Sequence, residues 1–207
     1  MSNAKPQRFT HADVTVTSER TVFKGFYEMH ELHVRHACYD RPPIEIKREL
    51  MVRPDAVVVL LFDPKLQSVV LIEQFRVGAR KASTPWLIEC VAGLIEPNEA
   101  PEDVARREAL EVAGTTIKRL KQICEYFPSP GGTDEKITLY IGEVDASTAG
   151  GVHGLDHEGE DILVHRVSVD QAVTWLNDGI INNAASIIAL QWLQLHLDTL
   201  NQEWSAV

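Results

Sequence analysis

The sequence predicts an α+β fold, with a mixed sheet sandwiched between helices and a smaller β segment ahead of it. Two observations carry that prediction. The runs Ala56–Asp63 (AVVVLLFD) and Ser68–Phe75 (SVVLIEQF) are almost wholly apolar and rich in β-branched residues, which suits strands buried on both faces. A helix pattern from Pro101 to Ala113 then falls between strand patterns, and two more helix patterns close the chain. With 207 residues there is enough length for one full domain and an appendage. We place the β segment at 1–53 and the main domain at 54–207.

In chain order, VTVTSERTVF, FYEMHELHV and IEIKREL alternate as strands, with a turn near Asp40-Arg41-Pro42-Pro43. Their apolar content is thin for an independent core, so the segment is expected to pack on something, either the main domain or a second copy of the chain. The two dense runs read as a hairpin or neighbouring strands, and WLIECVAG reads as one further buried strand. After the central helix, IKRLKQICEYF and KITLYIGEV read as strands on either side of the loop PSPGGTDE. GGVHGLDHEGED, rich in glycine and acid, reads as a mobile surface loop. ILVHRVS is the last strand. Ser168 and Gln171 suit a capping box opening a helix closed by Gly179, and Asn182 suits the cap of a final helix.

The central helix carries the chemistry. Pro101 suits a first helical position, Glu102 and Asp103 favour its positive end, and Gly114 suits a left-handed closing residue. On this helix Glu108 and Glu111 are three apart and share a face. Carboxylates held on one rigid face suit magnesium, or manganese, which take oxygen ligands.

Composition narrows the partners. A net charge of −10 argues against nucleic acid, whose backbone the protein field would repel. No apolar run is long enough for a membrane span or resembles a signal peptide. Cys38, Cys90 and Cys124 show no metal spacing, and an odd number cannot all pair, which fits a reducing cytoplasm. His153 and His157 lie in a glycine-rich loop at a spacing that does not help a transition-metal site.

Gly93, Glu99, Arg107, Glu108, Glu111 and Gly114 fall in the order Gly, five residues, Glu, seven residues, Arg-Glu, two residues, Glu, two residues, Gly. This resembles the box of the Nudix hydrolase family (93–114), with one departure: the family's second glutamate of a Glu-Glu pair is Val112 here. Pro130, sixteen residues after Gly114, resembles the marker of the family's ADP-ribose pyrophosphatase branch. The flanking SPGGTDE, IEQFR, KREL and INNAASIIALQWLQLH are similar to the enteric-type enzymes, so the likeness spans nearly the whole chain.

The resemblance implies an α/β/α Nudix sandwich and magnesium-dependent hydrolysis of ADP-ribose, or a related ADP-sugar, to AMP and ribose 5-phosphate. It implies Glu108, Glu111, Glu160 and the Ala92 carbonyl as metal ligands, with Val112 at a usual ligand position, and Glu158 as general base. Arg107 and Glu99 resemble the family's structural pair. Arg48, Arg53 and Arg76 would meet phosphates and ribose, Phe26 and Tyr27 the adenine, and Leu94, Ser129 and Glu135 the terminal ribose. A homodimer is expected, with the N-terminal strands of one chain reaching over the other. Because an isopropyl group cannot ligate magnesium, the alternative is a weakened or inactive ADP-ribose-binding protein.

Overall fold

The computed structural model describes residues 7–155 and 159–205. Contacts divide the chain into two compact units, residues 1–53 with 129–135 and residues 54–128 with 136–207.

The first unit is a three-stranded antiparallel sheet of β1 (Val14–Lys24), β2 (Glu28–His36) and β3 (Ile44–Val52), in that order. Register shifts after Val16 and Thr21 bulge β1 against β2. The turn expected at 40–43 joins β2 to β3. Residues 129–135 add to the end of β3, where the Met51 N–H donates to Gly132 O at 2.9 Å. No residue of the three strands is buried. Val16, Val34 and Ile46 are cross-strand neighbours, yet Val16 is half exposed. Charge fills part of the gap. Glu31 sits between Arg20 and Lys47 at 2.9 and 2.5 Å. Exposed pairs of this kind contribute little.

The second unit holds an eight-stranded mixed sheet. Its strands are β4 (Ala56–Asp63), β5 (Ser68–Phe75), β6 (Trp86–Glu89), β7 (Val91–Leu94), β8 (Arg119–Tyr126), β9 (Ile137–Glu143), β10 (Gly151–His153) and β11 (Ile162–Ser168). The main path runs β10-β11-β5-β4-β9-β8, and among the described residues of this sheet β4 and β9 are the pair that run parallel. β4 and β5 pair over Leu61–Asp63 and then separate. The stretch expected as one strand, WLIECVAG, enters the gap as two: β6 on β5, then β7 on Ala56–Val59 of β4. The glycine-rich segment expected as loop contributes the short β10.

Period-2 alternation sorts the apolar side chains into two layers. Val57, Val59, Leu61, Val70 and Ile72 meet helix α1 (Pro101–Ala113). Val58, Leu60, Phe62, Val69 and Leu71 meet α2 (Val169–Asn177) and α3 (Ala184–Ser205). The Ser168 hydroxyl caps α2 by accepting from Gln171 N. The cap of α3 is Asn183, not Asn182: Asn183 O takes the first helical bond, from Ile187 N, and its Oδ1 accepts from Ser186 N. The α/β/α sandwich of the second unit is as expected.

One site in the first unit gives a pH signature. His30 bridges Glu19 at 2.6 Å and Glu28 at 2.9 Å, and hydrogen bonds to Glu28 first, then Glu19, raise its pKa above the usual 6.5. The fold therefore favours the imidazolium. Its contribution to stability is complete below pH 6.5 and is lost as pH rises through the raised midpoint. Proton NMR of the His30 ring should show a midpoint above 6.5 that returns toward it in Glu28→Gln. An unshifted midpoint in the parent protein would contradict this geometry.

Candidate active site

The central helix is set against the sheet by small residues. Val104, Ala105, Ala109, Val112 and Ala113 form its buried stripe. Gly114 closes it at φ +62°, its N–H returning to Ala109 and Leu110 carbonyls. A Cβ on Gly114 would meet the ring of His153 at 2.7 Å, so the helix end also seats β10.

Close approach explains Gly93 too. A Cβ there would lie 2.1 Å from Oε1 of Glu108, so a side chain could enter only by displacing that carboxylate. Glu108 is thus pressed against β7 and largely removed from water. Desolvation pushes its carboxyl up to about 7; Arg107 opposes the shift, while Glu111 and Glu160 add to it.

Arg107 organises the acids around it. Its Nε and Nη2 donate to Glu99 at 3.0 and 3.3 Å, and Nη1 donates to Glu108 at 2.7 Å and Glu111 at 3.1 Å. The Arg107 hydrogen bond holds the Glu99 carboxyl below its ordinary range. The expected pair of Arg107 and Glu99 is therefore part of a four-membered cluster.

Glu160 reaches the same side of the sheet. Its Oε1 accepts from Gln74 Nε2 and its Oε2 from Leu155 N, each at 3.3 Å. Gly154, at φ +107°, lies where a Cβ would strike the Cβ of Glu160 at 2.7 Å. Arg76 donates to Glu89 at 2.6 Å. Ala92 lies in β7 opposite Val58, and Leu94 packs partly buried on the layer below. Val112 is 5% exposed, inside the apolar layer under α1, and presents no oxygen. Glu158 lies outside the described residues.

The remaining candidates belong to the first unit. Arg53 stacks on Tyr27 at 4.8 Å and pairs with Glu135 at 3.1 Å. Phe26 meets Tyr27 edge-on at 4.8 Å and is itself 82% exposed. The Ser129 carbonyl accepts from Gly132 and Thr133 N–H groups. Arg48 donates to the Lys47 carbonyl at 2.7 Å.

Sequence reading passed over Gln74, Glu89 and His153 as site-shaping residues. For Gln74 a signal existed: alternation from the buried Ile72 puts it on the α1 side of β5. Glu89 and His153 owe their roles to partners distant in sequence. Among the described residues no three His, Cys, Asp or Glu side chains gather closely enough to hold a metal. The donor chemistry still fits a hard divalent cation. Desolvation and the nearby Glu111 and Glu160 disfavour the charged form of Glu108, a cost that such a cation would relieve.

Gly93→Ala tests the seat. The added methyl should drive Glu108 outward, lowering its carbon-13 carboxyl midpoint from about 7 toward the ordinary glutamate range. Overpacking should cost about 1–3 kcal/mol of stability. An unchanged midpoint in a folded variant would show that the close approach does not set the shift.

A NUDIX domain profile matches residues 52–191. The chain is 49% identical over 202 residues to the ADP-ribose pyrophosphatase of Escherichia coli strain K12, with 97% of each chain covered. It is 41% identical over 203 residues to the ADP-ribose pyrophosphatase of Haemophilus influenzae, covering 96% of this chain and 94% of that one. A crystal structure of an ADP compounds hydrolase shares the fold at a TM-score of 0.72 and 19% identity, covering 91% of this chain and 96% of that one. The profile spans more than half of the chain and both relatives match it almost end to end: the chain belongs to the Nudix family.

Proposed function

We propose that the chain is a Nudix pyrophosphohydrolase that cleaves ADP-ribose to AMP and ribose 5-phosphate, with magnesium as cofactor and manganese as a substitute. The observation that carries this reading is the desolvated Glu108 seated on Gly93 and coupled to Glu111 and Glu160. The near full-length identity to ADP-ribose pyrophosphatases supplies the substrate class.

Hydrolysis of a pyrophosphate adds water to one phosphorus, breaks its bond to the bridging oxygen, and leaves that oxygen on the other phosphate. Divalent cations neutralise the phosphate oxygens and acidify the attacking water. Glu108, Glu111, Glu160 and the Ala92 carbonyl are the proposed ligands, with Arg107 keeping the first two in place. Glu158, from its place in the acidic loop, is the proposed acceptor of the water's proton. Arg76, oriented by Glu89, and Arg53 and Arg48 supply guanidinium donors for phosphate and ribose. Phe26 and Tyr27 offer rings to the adenine, and Leu94, Ser129 and Glu135 are assigned to the terminal ribose. The three unpaired thiols suit a reducing cytoplasm. Among the described residues no helix is long and apolar enough to cross a membrane.

Release of AMP from ADP-ribose, titrated with magnesium, tests the reaction. GDP-mannose or a nucleoside triphosphate cleaved tenfold better would overturn the substrate class. Val112→Glu belongs in the same series. It buries a carboxylate at a position 5% exposed, so stability without cation should fall by about 2–3 kcal/mol. With magnesium, turnover should rise on the order of 10² to 10³ by the analogy of one added charge-stabilising group. Parent turnover that is already fast, with no gain in the variant, would remove this position from the ligand set.

We also infer a homodimer that covers the N-terminal sheet. Its support is a sheet with no buried residue and with Val14, Val16 and Phe23 exposed. Light scattering should give the dimer mass at micromolar concentration, and a monomer mass would sink the inference.

A further inference from the structure

The strand that carries Gly93 changes neighbours at Cys90. Glu89 is still paired with Ile72 of β5, and Val91 is already paired with Val59 of β4. Cys90 belongs to neither ladder. Its residue is 1% exposed, and a buried N–H without an acceptor is costly. The acceptor comes from the start of α3: Cys90 N donates to Ser186 Oγ at 2.9 Å. Two residues earlier, the Ile88 carbonyl accepts from Asn183 Nδ2 at 2.8 Å. Asn183 and Ser186 are themselves joined, Ser186 N donating to Asn183 Oδ1 at 3.2 Å. Only that last bond serves the helix cap. Nδ2 of Asn183 and the hydroxyl of Ser186, which is 0% exposed, go to the strand.

Alternation continues through the crossover. Ile88, Cys90, Ala92 and Leu94 contribute to the α3 layer, while Val91 joins the α1 layer. Glu89 and Gly93, in step with Val91, hold Arg76 and seat Glu108. The crossover is thus fastened from one face, and the groups it places work on the other. We propose that Asn183 and Ser186 are positioning residues for the hydrolytic site. They fix the crossover at Cys90 and thereby set where Glu89 holds Arg76 and where Gly93 receives Glu108. The proposal deepens the Nudix reading and rests on it.

Released from Ser186, the Cys90 N–H must find another acceptor or water, and the strand twists to reach it. A shift of the strand at Gly93 moves the surface on which the Glu108 carboxylate is seated. Residues that orient ligands from behind typically change metal affinity or activity by about 10–100-fold.

The test uses the full chain with Ser186→Ala, Asn183→Ser and Ser186→Thr. Asn183→Ser keeps a good helix cap but is too short to reach Ile88, so it separates fastening from capping. Three quantities are read: kcat and KM for AMP release from ADP-ribose, the magnesium concentration at half-maximal rate, and amide exchange of Val91–Leu94. Ser186→Ala and Asn183→Ser should each lower kcat per folded molecule by about 10–100-fold. They should also raise the magnesium midpoint and speed exchange in β7, and Ser186→Thr should recover most of each change. Folded variants with parental kcat, magnesium midpoint and exchange would overturn the proposal, even if their melting temperatures fell. Should Ser186→Ala fail to fold, Asn183→Ser decides alone on the same readouts. A parent protein without magnesium-dependent hydrolysis would refute the Nudix reading of the site. The β7 exchange would then still decide whether the fastening sets strand position.

Discussion

Glu108 sits where it does only because the residue facing it has no side chain. The space a Cβ of Gly93 would fill is occupied by the Glu108 carboxylate itself. That single approach sets much else. It strips water from the carboxyl and raises its proton affinity. It also fixes the rotation of α1, since the sheet-facing stripe beside Glu108 must then carry residues small enough to lie close to β4. Ala105, Ala109 and Ala113 meet that demand. Arg107 answers the resulting excess of negative charge, one guanidinium serving three glutamates. Such a charge is tolerable on a half-buried helix only when its partners use its fork of donors.

The two units solve burial differently. In the second, every residue of β4 and β9 is buried, and two apolar layers meet helices on both sides. In the first, short-range charge pairs stand where a core would be. The segment Ser129–Glu135 belongs with the first unit although it lies deep within the second in sequence. Glu135, 7% exposed, pairs there with Arg53, so a loop that resembles a substrate-binding element is also part of that unit's framework.

Much of this was legible in the residues, and the exceptions have physical causes. Helix α1 could be read from Pro101 and Gly114 because helix ends are local chemistry. The carboxylate face followed from spacing alone. The division of WLIECVAG could not be read, because both halves are apolar and β-prone; what divides them is a change of neighbours, decided by β4 and β5 separating. Asn182 and Asn183 carry the same side chain, and what distinguishes them is the set of bonds Asn183 makes to Ile88, Ser186 and Ile187 in the fold. Gly151–His153 looked like loop because glycine disfavours strands. It pairs nonetheless, with β11 alongside and His153 resting on Gly114. Arg107 was assigned a structural role only through the family likeness, and its reach to Glu108 and Glu111 needed coordinates.

The pairing of β4 has a kinetic consequence. Ala56 is paired on one side with Leu94 and on the other with Ile137, both far along the chain from it. Closing the parallel β4–β9 contact brings together segments separated by the whole of β5–β8, a loop whose entropy must be overcome before the contact rewards it. Until then AVVVLLFD, whose one charge is the terminal Asp63, is a β-prone edge in a collapsing chain, the kind of stretch that captures its own copies. Gly93 gains its second wall only when β7 lies against β4. The seat of Glu108 is therefore among the last features to mature, and refolding yield should depend on protein concentration more steeply than secondary-structure recovery does.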